Sequence, residues 1–213
     1  MADSRVMVEF DPAEHLAGNI YKLMIGAIVP RPIAWVSSVD KNGVRNLAPF
    51  SFFTGVCANP PIVCFCPVNR VAPTTEMPLR KDTLRNIYET GEYVINVVPE
   101  ALVAQMNITA AEVAADVDEF ELAGLTVAPS VVVRVPRVAE SPVNMECKLV
   151  QVIEINGEPL GGNLVLGRVV RFHIRQDLLT KYRIDPGKLD AVGRMAGATY
   201  SRTRDRFELE RPK

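Results

Sequence analysis

Ile33-Ala34-Trp35-Val36-Ser37-Ser38-Val39, Asp40-Lys41-Asn42-Gly43 and Val44-Arg45-Asn46-Leu47-Ala48-Pro49-Phe50 decide the fold class. The first run is rich in β-branched and aromatic residues. Asn-Gly then tolerates the positive φ values that a tight reversal requires, so a partner strand begins near Val44 and returns antiparallel. The run Phe50-Ser51-Phe52-Phe53-Thr54-Gly55-Val56 extends the pattern, Asn59-Pro60-Pro61 breaks it, and an apolar strand follows from Ile62 to Cys66. These pieces form a meander of short strands.

On the N-terminal side, up to about Gly26, the sequence is mixed, with a short helix around Pro12 to Leu16. On the C-terminal side, Val68 to Arg80 reads as an exposed loop, interrupted by Pro73 and Pro78. Asp82 or Thr83 caps a helix running to Thr90, with Leu84, Ile87 and Tyr88 on one face and Gly91 as its stop. Tyr93 to Val98 is a buried strand, while Ala101 to Met106 and Ala110 to Ala115 are alanine-rich helical stretches covering one side of a sheet. Met145 to Ile155 and Asn163 to Ile174 make a second hairpin, joined through Asn156-Gly157 and Gly161-Gly162. The chain is therefore mainly β, an antiparallel barrel with a few flanking α-helices rather than a βαβ sheet. No repeat or low-complexity linker divides it, so residues 1–213 read as one domain: a barrel core over about 20–175 and a C-terminal extension over 176–213. Its end, Ser201 to Lys213, holds eight charges and reads as a solvated tail or strand, or as an arm laid on a second subunit.

Composition narrows the function. With 213 residues, 48% hydrophobic and 23% charged, the chain can bury a proper core, and disorder is excluded. Lys plus Arg (24) nearly cancels Asp plus Glu (25), so no global field draws nucleic acid or an acidic membrane. Apolar runs such as Ile62 to Cys66 fall far short of the ~20 residues a bilayer needs. Met1-Ala2-Asp3-Ser4-Arg5 opens without an apolar signal core, which places the chain in the cytoplasm. Cys57, Cys64, Cys66 and Cys147 lack Cys-x-x-Cys spacing, and with only His15 and His173 beside them neither a disulfide framework nor a metal site is expected. Gly-x-Gly-x-x-Gly, Gly-x-x-x-x-Gly-Lys and Gly-x-Ser-x-Gly are all absent.

A barrel with none of these must borrow its chemistry from a cofactor. Three segments suit one. Trp35-Val36-Ser37-Ser38 ends a strand in paired hydroxyls, which either donate to phosphate or ribityl oxygens or are ordinary turn-forming serines. Asn46 to Phe53 offers an apolar wall, backbone N–H groups freed by Pro49, and side-chain partners in Asn46 and Ser51; its aromatic cluster reads equally as core. Lys81-Asp82-Thr83 opens a helix where Lys81, Thr83 and first-turn N–H groups would seat a dianion, with Asp82 as the cap; a solvated helix start is the competing reading.

In order and spacing, the segments Arg31 to Phe53, Asn59-Pro60-Pro61, Lys81 to Ile87 and Gly91 to Asn96 resemble the flavin reductase-like family of FMN-binding split barrels. The similarity extends to Met145 to Leu149, Gly167 to His173, and Val192 to Gly197 with Tyr200, whereas Ala101 to about Leu125 adds little. The resemblance implies a Greek-key split β-barrel that dimerises with itself and binds FMN noncovalently near the subunit interface, FAD being the second option. It implies an oxidoreductase of the flavin reductase type, with NADH or NADPH as transient hydride donor and a flavin-using enzyme as partner. The alternative is a flavoredoxin-like electron carrier or a flavin-binding protein without turnover. Carried onto this chain, Trp35, Val36, Ser37 and Ser38 with Asn46, Leu47, Ala48, Pro49, Phe50 and Ser51 would line flavin and ribityl phosphate. Lys81 and Thr83 would hold the phosphate, and Arg194 to Tyr200 would close the site with Tyr200 near the ring. Hydride chemistry on that ring needs no general base, and no catalytic side chain is assigned. Glu146 and His173 are polar candidates beside the pocket or internally satisfied groups. Arg31, Arg45 and Arg194 are contacts for the nicotinamide or ordinary surface arginines.

Overall fold

The computed structural model describes residues 6–75 and 77–212; the readings made for Met1 to Arg5 and for Lys213 lie outside the described residues. A 3-10 turn at Pro12–Glu14 replaces the expected helix there, and the helix proper, α1 (Ala17–Ala27), comes next. Its sequence hides it. The N-cap position is Leu16, which makes no capping bond, and no residue of α1 is buried.

The meander then follows as read: β1 (Ala34–Val39), β2 (Arg45–Phe50), β3 (Phe53–Ala58) and β4 (Pro61–Phe65). In the first reversal the Asp40 carboxylate accepts the N–H groups of Asn42 and Val44, each at 2.8 Å, and Gly43 takes φ +89°. Next come α2 (Asp82–Thr90), stopped by Gly91 at φ +68°, and β5 (Glu92–Asn96). The alanine-rich region gives only α3 (Val103–Ile108); Ala110 to Ala115 is irregular, not helical. The unexpected α4 (Glu119–Leu122) is capped by Asp118, whose carboxylate accepts the Phe120 N–H at 2.9 Å. A small pair, β6 (Val127–Ala128) and β7 (Arg137–Val138), precedes the long hairpin of β8 (Val143–Glu154) and β9 (Asn163–Ile174). The end of the chain carries β10 (Leu179–Thr180), β11 (Arg183–Ile184), α5 (Pro186–Leu189), and the hairpin of β12 (Val192–Arg194) with β13 (Tyr200–Arg202).

Seven strands form one antiparallel sheet in the order β2-β1-β5-β8-β9-β4-β3. Its two outermost strands, β2 and β3, are consecutive in the chain and separated only by Ser51 and Phe52, which draws the sheet's ends together. Inside the curve, Val36, Phe50, Phe65, Tyr93, Ile95 and Val165 pack with Leu84 and Ile87 of α2. On the opposite face of β1 and β2, Trp35 and Leu47 pack with Met106 of α3 and Phe120 of α4. Strand side chains alternate between faces, and β1 has a core on each, so all six of its residues are buried. Among the described residues no helix is long and apolar enough to cross a membrane, and no group of three or more His, Cys, Asp or Glu could hold a metal ion.

Candidate functional site

Strand β2 and the start of α2 meet at a cavity of about 180 Å³ lined by Asn46, Ala48, Pro49, Phe50, Lys81 and Thr83. Arg70, Asp82, Thr109 to Val113 and Glu119 complete its wall. Lys81 occupies the N-cap position of α2, and Asp82, expected as the cap, is instead its first residue. The Asp82 carboxylate lies between Arg70 Nη2 and Arg85 Nη1, each at 2.8 Å, so two guanidinium groups offset its charge. Among the described residues Lys81 makes no ion pair; its Nζ stands 5.9 Å from the centre of the Phe50 ring. Burial pulls its ammonium below the usual lysine range, Glu112 opposing this and Arg70 adding to it. Arg70 is buried, its Nη1 donating to the carbonyls of Pro78 and Arg80; among the described residues its Nε–H has no hydrogen-bond acceptor, the Glu112 carboxylate standing 3.8 Å away as an ion-pair partner. A helix start with unpaired first-turn N–H groups, a lysine and an orphaned guanidinium N–H make a seat for an anion.

The polar floor is already organised. Thr83 Oγ1 donates to Asn46 Oδ1 at 2.7 Å, and Asn46 Nδ2 donates to Glu119 Oε1 at 2.7 Å. The Leu47 N–H donates to Glu119 Oε2 at 3.0 Å. Because the Thr83 proton is committed to Asn46, its hydroxyl faces a ligand as an acceptor.

Across Pro49 and Ala110, which line both, this cavity adjoins a second of about 170 Å³ with Ile33, Ser51, Met106, Asn107, Arg194 and Tyr200 in its wall. The Arg194 guanidinium stacks 4.4 Å above the Tyr200 ring. Ser51 Oγ accepts from Arg31 Nε at 3.2 Å, leaving the serine's own proton free to donate. Arg31 itself fits neither reading proposed for it. It is 4% exposed, and beyond Ser51 it binds the carbonyls of Ile25 and Ile28 at the end of α1, each at 2.7 Å, and that of Met195 at 3.0 Å. Arg45 pairs with Asp118 and Glu121 instead of facing a ligand.

The structure thus brings together Asn46, Ala48, Pro49, Phe50, Lys81 and Thr83, with Ser51, Arg194 and Tyr200 in continuation. It does not bring Trp35, Val36, Ser37, Ser38 or Leu47 to either cavity wall. Trp35 Nε1 donates to Thr109 Oγ1 at 2.8 Å, Ser37 donates to the Pro136 carbonyl at 2.7 Å, and Ser38 donates to Asn46 Oδ1 at 3.3 Å. All four β1 residues are fully buried; the Trp35 ring and the Ser38 hydroxyl support the floor from behind through Thr109 and Asn46, while Ser37 is tied elsewhere. Glu146 also turns inward, accepting the N–H groups of Val131, Val132 and Val133 along with His173 Nε2. The residues the sequence did not point to are Arg70, in a stretch read as loop, and Glu119, in a stretch read as uninformative. The signal for Glu119 is Asp118 just ahead of it, a residue suited to capping a short helix.

A family model described as flavin reductase like domain matches residues 25–193. Nitrilotriacetate monooxygenase component B from Bacillus cereus is 41% identical, with a TM-score of 0.89 over 97% of this chain and 100% of that one. The 2-nitrobenzoate 2-nitroreductase NbaA of Pseudomonas fluorescens is 30% identical, with a TM-score of 0.85 over 96% of each chain. A split-barrel-domain protein from Shewanella frigidimarina shares the fold at 23% identity and a TM-score of 0.80, covering 97% of this chain and 100% of that one. The sheet that closes from β2 to β3 is accordingly a split barrel.

Proposed function

The chain belongs to the flavin reductase-like domain family, and from that membership we propose that it binds FMN noncovalently and passes hydride equivalents from NADH or NADPH to that flavin. One observation carries the reading: a continuous run of cavity wall from Lys81 and Arg70, along Ala48 to Phe50, to Ser51, Arg194 and Tyr200. Anion seat, apolar wall and polar edge follow one another in the order of a phosphate ester, its carbon chain and a planar heterocycle.

The donors present fit that ligand. Among the described residues Arg70 Nε is a buried donor without a hydrogen-bond acceptor, and Ser51 keeps a proton to give. Lys81, Arg70 and the first-turn N–H groups of α2 would hold the phosphate, while Pro49 and Phe50 keep water from the chain. Ser51 would donate to the ring edge, and Arg194, fixed on Tyr200, brings a cation to that end. When bound, the flavin supplies the hydride and single-electron chemistry that no side chain here provides. A terminal monoester uses this seat fully, whereas FAD would need room beyond Arg70 and Glu112.

Each cavity is smaller than the ~300–1,000 Å³ of a typical ligand pocket, which favours a second copy of the chain as the missing wall. A helix as short as α1 is marginal alone, and Leu23, Met24 and Ile28 on or beside it stand exposed, as do Val56 on β3 and Phe207 and Leu209 near the end. We therefore read the protein as a homodimer, acting in the cytoplasm. Similarity to a monooxygenase's component B supports reduced flavin being handed to a partner oxygenase.

Titrating the protein with FMN and with FAD, then mixing anaerobically with each nicotinamide nucleotide, tests the reading. The expectation is tight FMN uptake and loss of the oxidised flavin absorbance within catalytic time. A yellow protein indifferent to both nucleotides would instead be an electron carrier. A colourless protein that takes up neither flavin overturns the assignment.

A further inference from the structure

Glu119 is a buried carboxyl group in the anion cavity to which the flavin reading gives no role. It is 5% exposed, lines the same cavity as Lys81 and Arg70, and is held there by Asn46 Nδ2 and the Leu47 N–H. Among the described residues no basic side chain forms an ion pair with it. The charged groups around it are Asp82 and Lys81 from the start of α2, Arg70 from the preceding loop, and Glu112 from the segment after α3. On its own element, Asp118 and Glu121 are turned to Arg45. Arg70 is shared between Asp82 and Glu112, Arg85 is taken by Asp82, and Lys81, though in the same cavity, is not paired with Glu119. A phosphate dianion seated at Lys81 would then share a cavity of about 180 Å³ with a buried carboxylate that has no counter-ion.

Resting on the flavin reading above, we propose that Glu119 stores a proton for this site: it takes one from solvent when the phosphate of FMN enters, and returns it when FMN leaves. The step balances as carboxylate plus solvent proton giving the carboxylic acid, with no bond to the ligand. The protonated group still accepts from the Leu47 N–H and no longer repels the anion. Before any ligand arrives the carboxyl already stands near the switching point. Burial pushes it up to about 7, the Leu47 N–H, its own backbone N–H and the Asn46 amide pulling against this and Asp82 adding to it. The sign follows: proton-coupled binding weakens as pH rises above about 7.

Calorimetric titration of the full chain with FMN at about pH 8, where the free phosphate is already a dianion, in buffers of different ionisation enthalpy reads the proton count directly. Wild type should take up on the order of half a proton or more per FMN and lose up to ~tenfold in affinity per pH unit above neutrality. Glu119→Gln should take up none and bind FMN with a flat profile, whereas Glu112→Gln, altered at a half-exposed carboxylate of the same cavity, should keep the uptake. Binding by wild type without proton uptake, or uptake retained in Glu119→Gln, overturns the proposal while leaving flavin binding intact. Failure of wild type to bind FMN at all overturns both. The infrared difference spectrum of the wild type alone, FMN-bound minus free, should gain a protonated-carboxyl band, and its absence refutes the idea even if the variant does not fold.

Discussion

Lys81 concentrates the energetics of the anion seat in one side chain. It has no carboxylate partner among the described residues, so Lys81→Ala removes a charge-assisted contact without leaving a buried anion behind. FMN affinity should fall by about 1.5–3 kcal/mol, roughly tenfold to 150-fold, in a fluorescence titration; an unchanged Kd would take Lys81 out of the site. Glu146 shows the opposite use of a buried carboxylate. Burial acts to raise its pKa, but the N–H groups of Val131, Val132 and Val133 together with His173 outweigh it and hold the group at about 2 against 4.5. Its folded value lies below its unfolded one, so its stabilisation is complete above 4.5 and is lost as pH falls toward 2. Glu146→Gln should destabilise the protein at neutral pH and flatten the dependence of urea unfolding on pH across that window. A slope equal to wild type's would refute the role. Of Glu119 and Glu146, sequence singled out only Glu146, and only as a polar candidate. Arg31 was visible as part of a motif, but two of its partners, Ser51 and Met195, lie 20 and 164 residues away, a distance no local pattern encodes.

At the scale of elements, legibility followed local chemistry. The β1–β2 reversal rests on Asp40 to Gly43, four residues that carry their own turn signal, and α2 rests on a periodic face and a glycine stop. Gly91 stands at φ +68° with no atom within 4 Å of where a Cβ would be, so Gly91→Ala tests backbone conformation alone. It should cost about 1–2 kcal/mol in urea unfolding; a neutral result would mean that the helix end relaxes freely. Where local chemistry was silent, the reading failed. Alanine richness suggested a helix at Ala110 to Ala115, yet Ala110 to Val113 supply cavity wall, a role that propensity does not register. Helix α1 went unseen because none of its residues is fully buried within its own chain. Asp82 looked like a cap because aspartate usually is one, but Arg70, twelve residues earlier, claims its carboxylate.

For the whole molecule, the apolar residues on α1, β3 and the C-terminal segment set the expectation of a dimer. Light scattering at micromolar concentration should report twice the 23.5 kDa of one chain, and a clean monomer would remove the second wall from the site. The barrel itself was readable because its strands are rich in β-branched and aromatic residues and its hairpins carry explicit turns; how its two ends are tied to it was not. Arg31 and Arg194 exchange backbone hydrogen bonds at 3.0 and 2.8 Å, while the Arg31 side chain grips the last turn of α1 and the carbonyl of Met195. The first and last parts of the polypeptide are thereby laced through a single arginine. A premature stop ahead of residue 192 would strip the N-terminal helix of an anchor it never touches in sequence, and limited trypsin digestion of such a truncate should trim both extremities together.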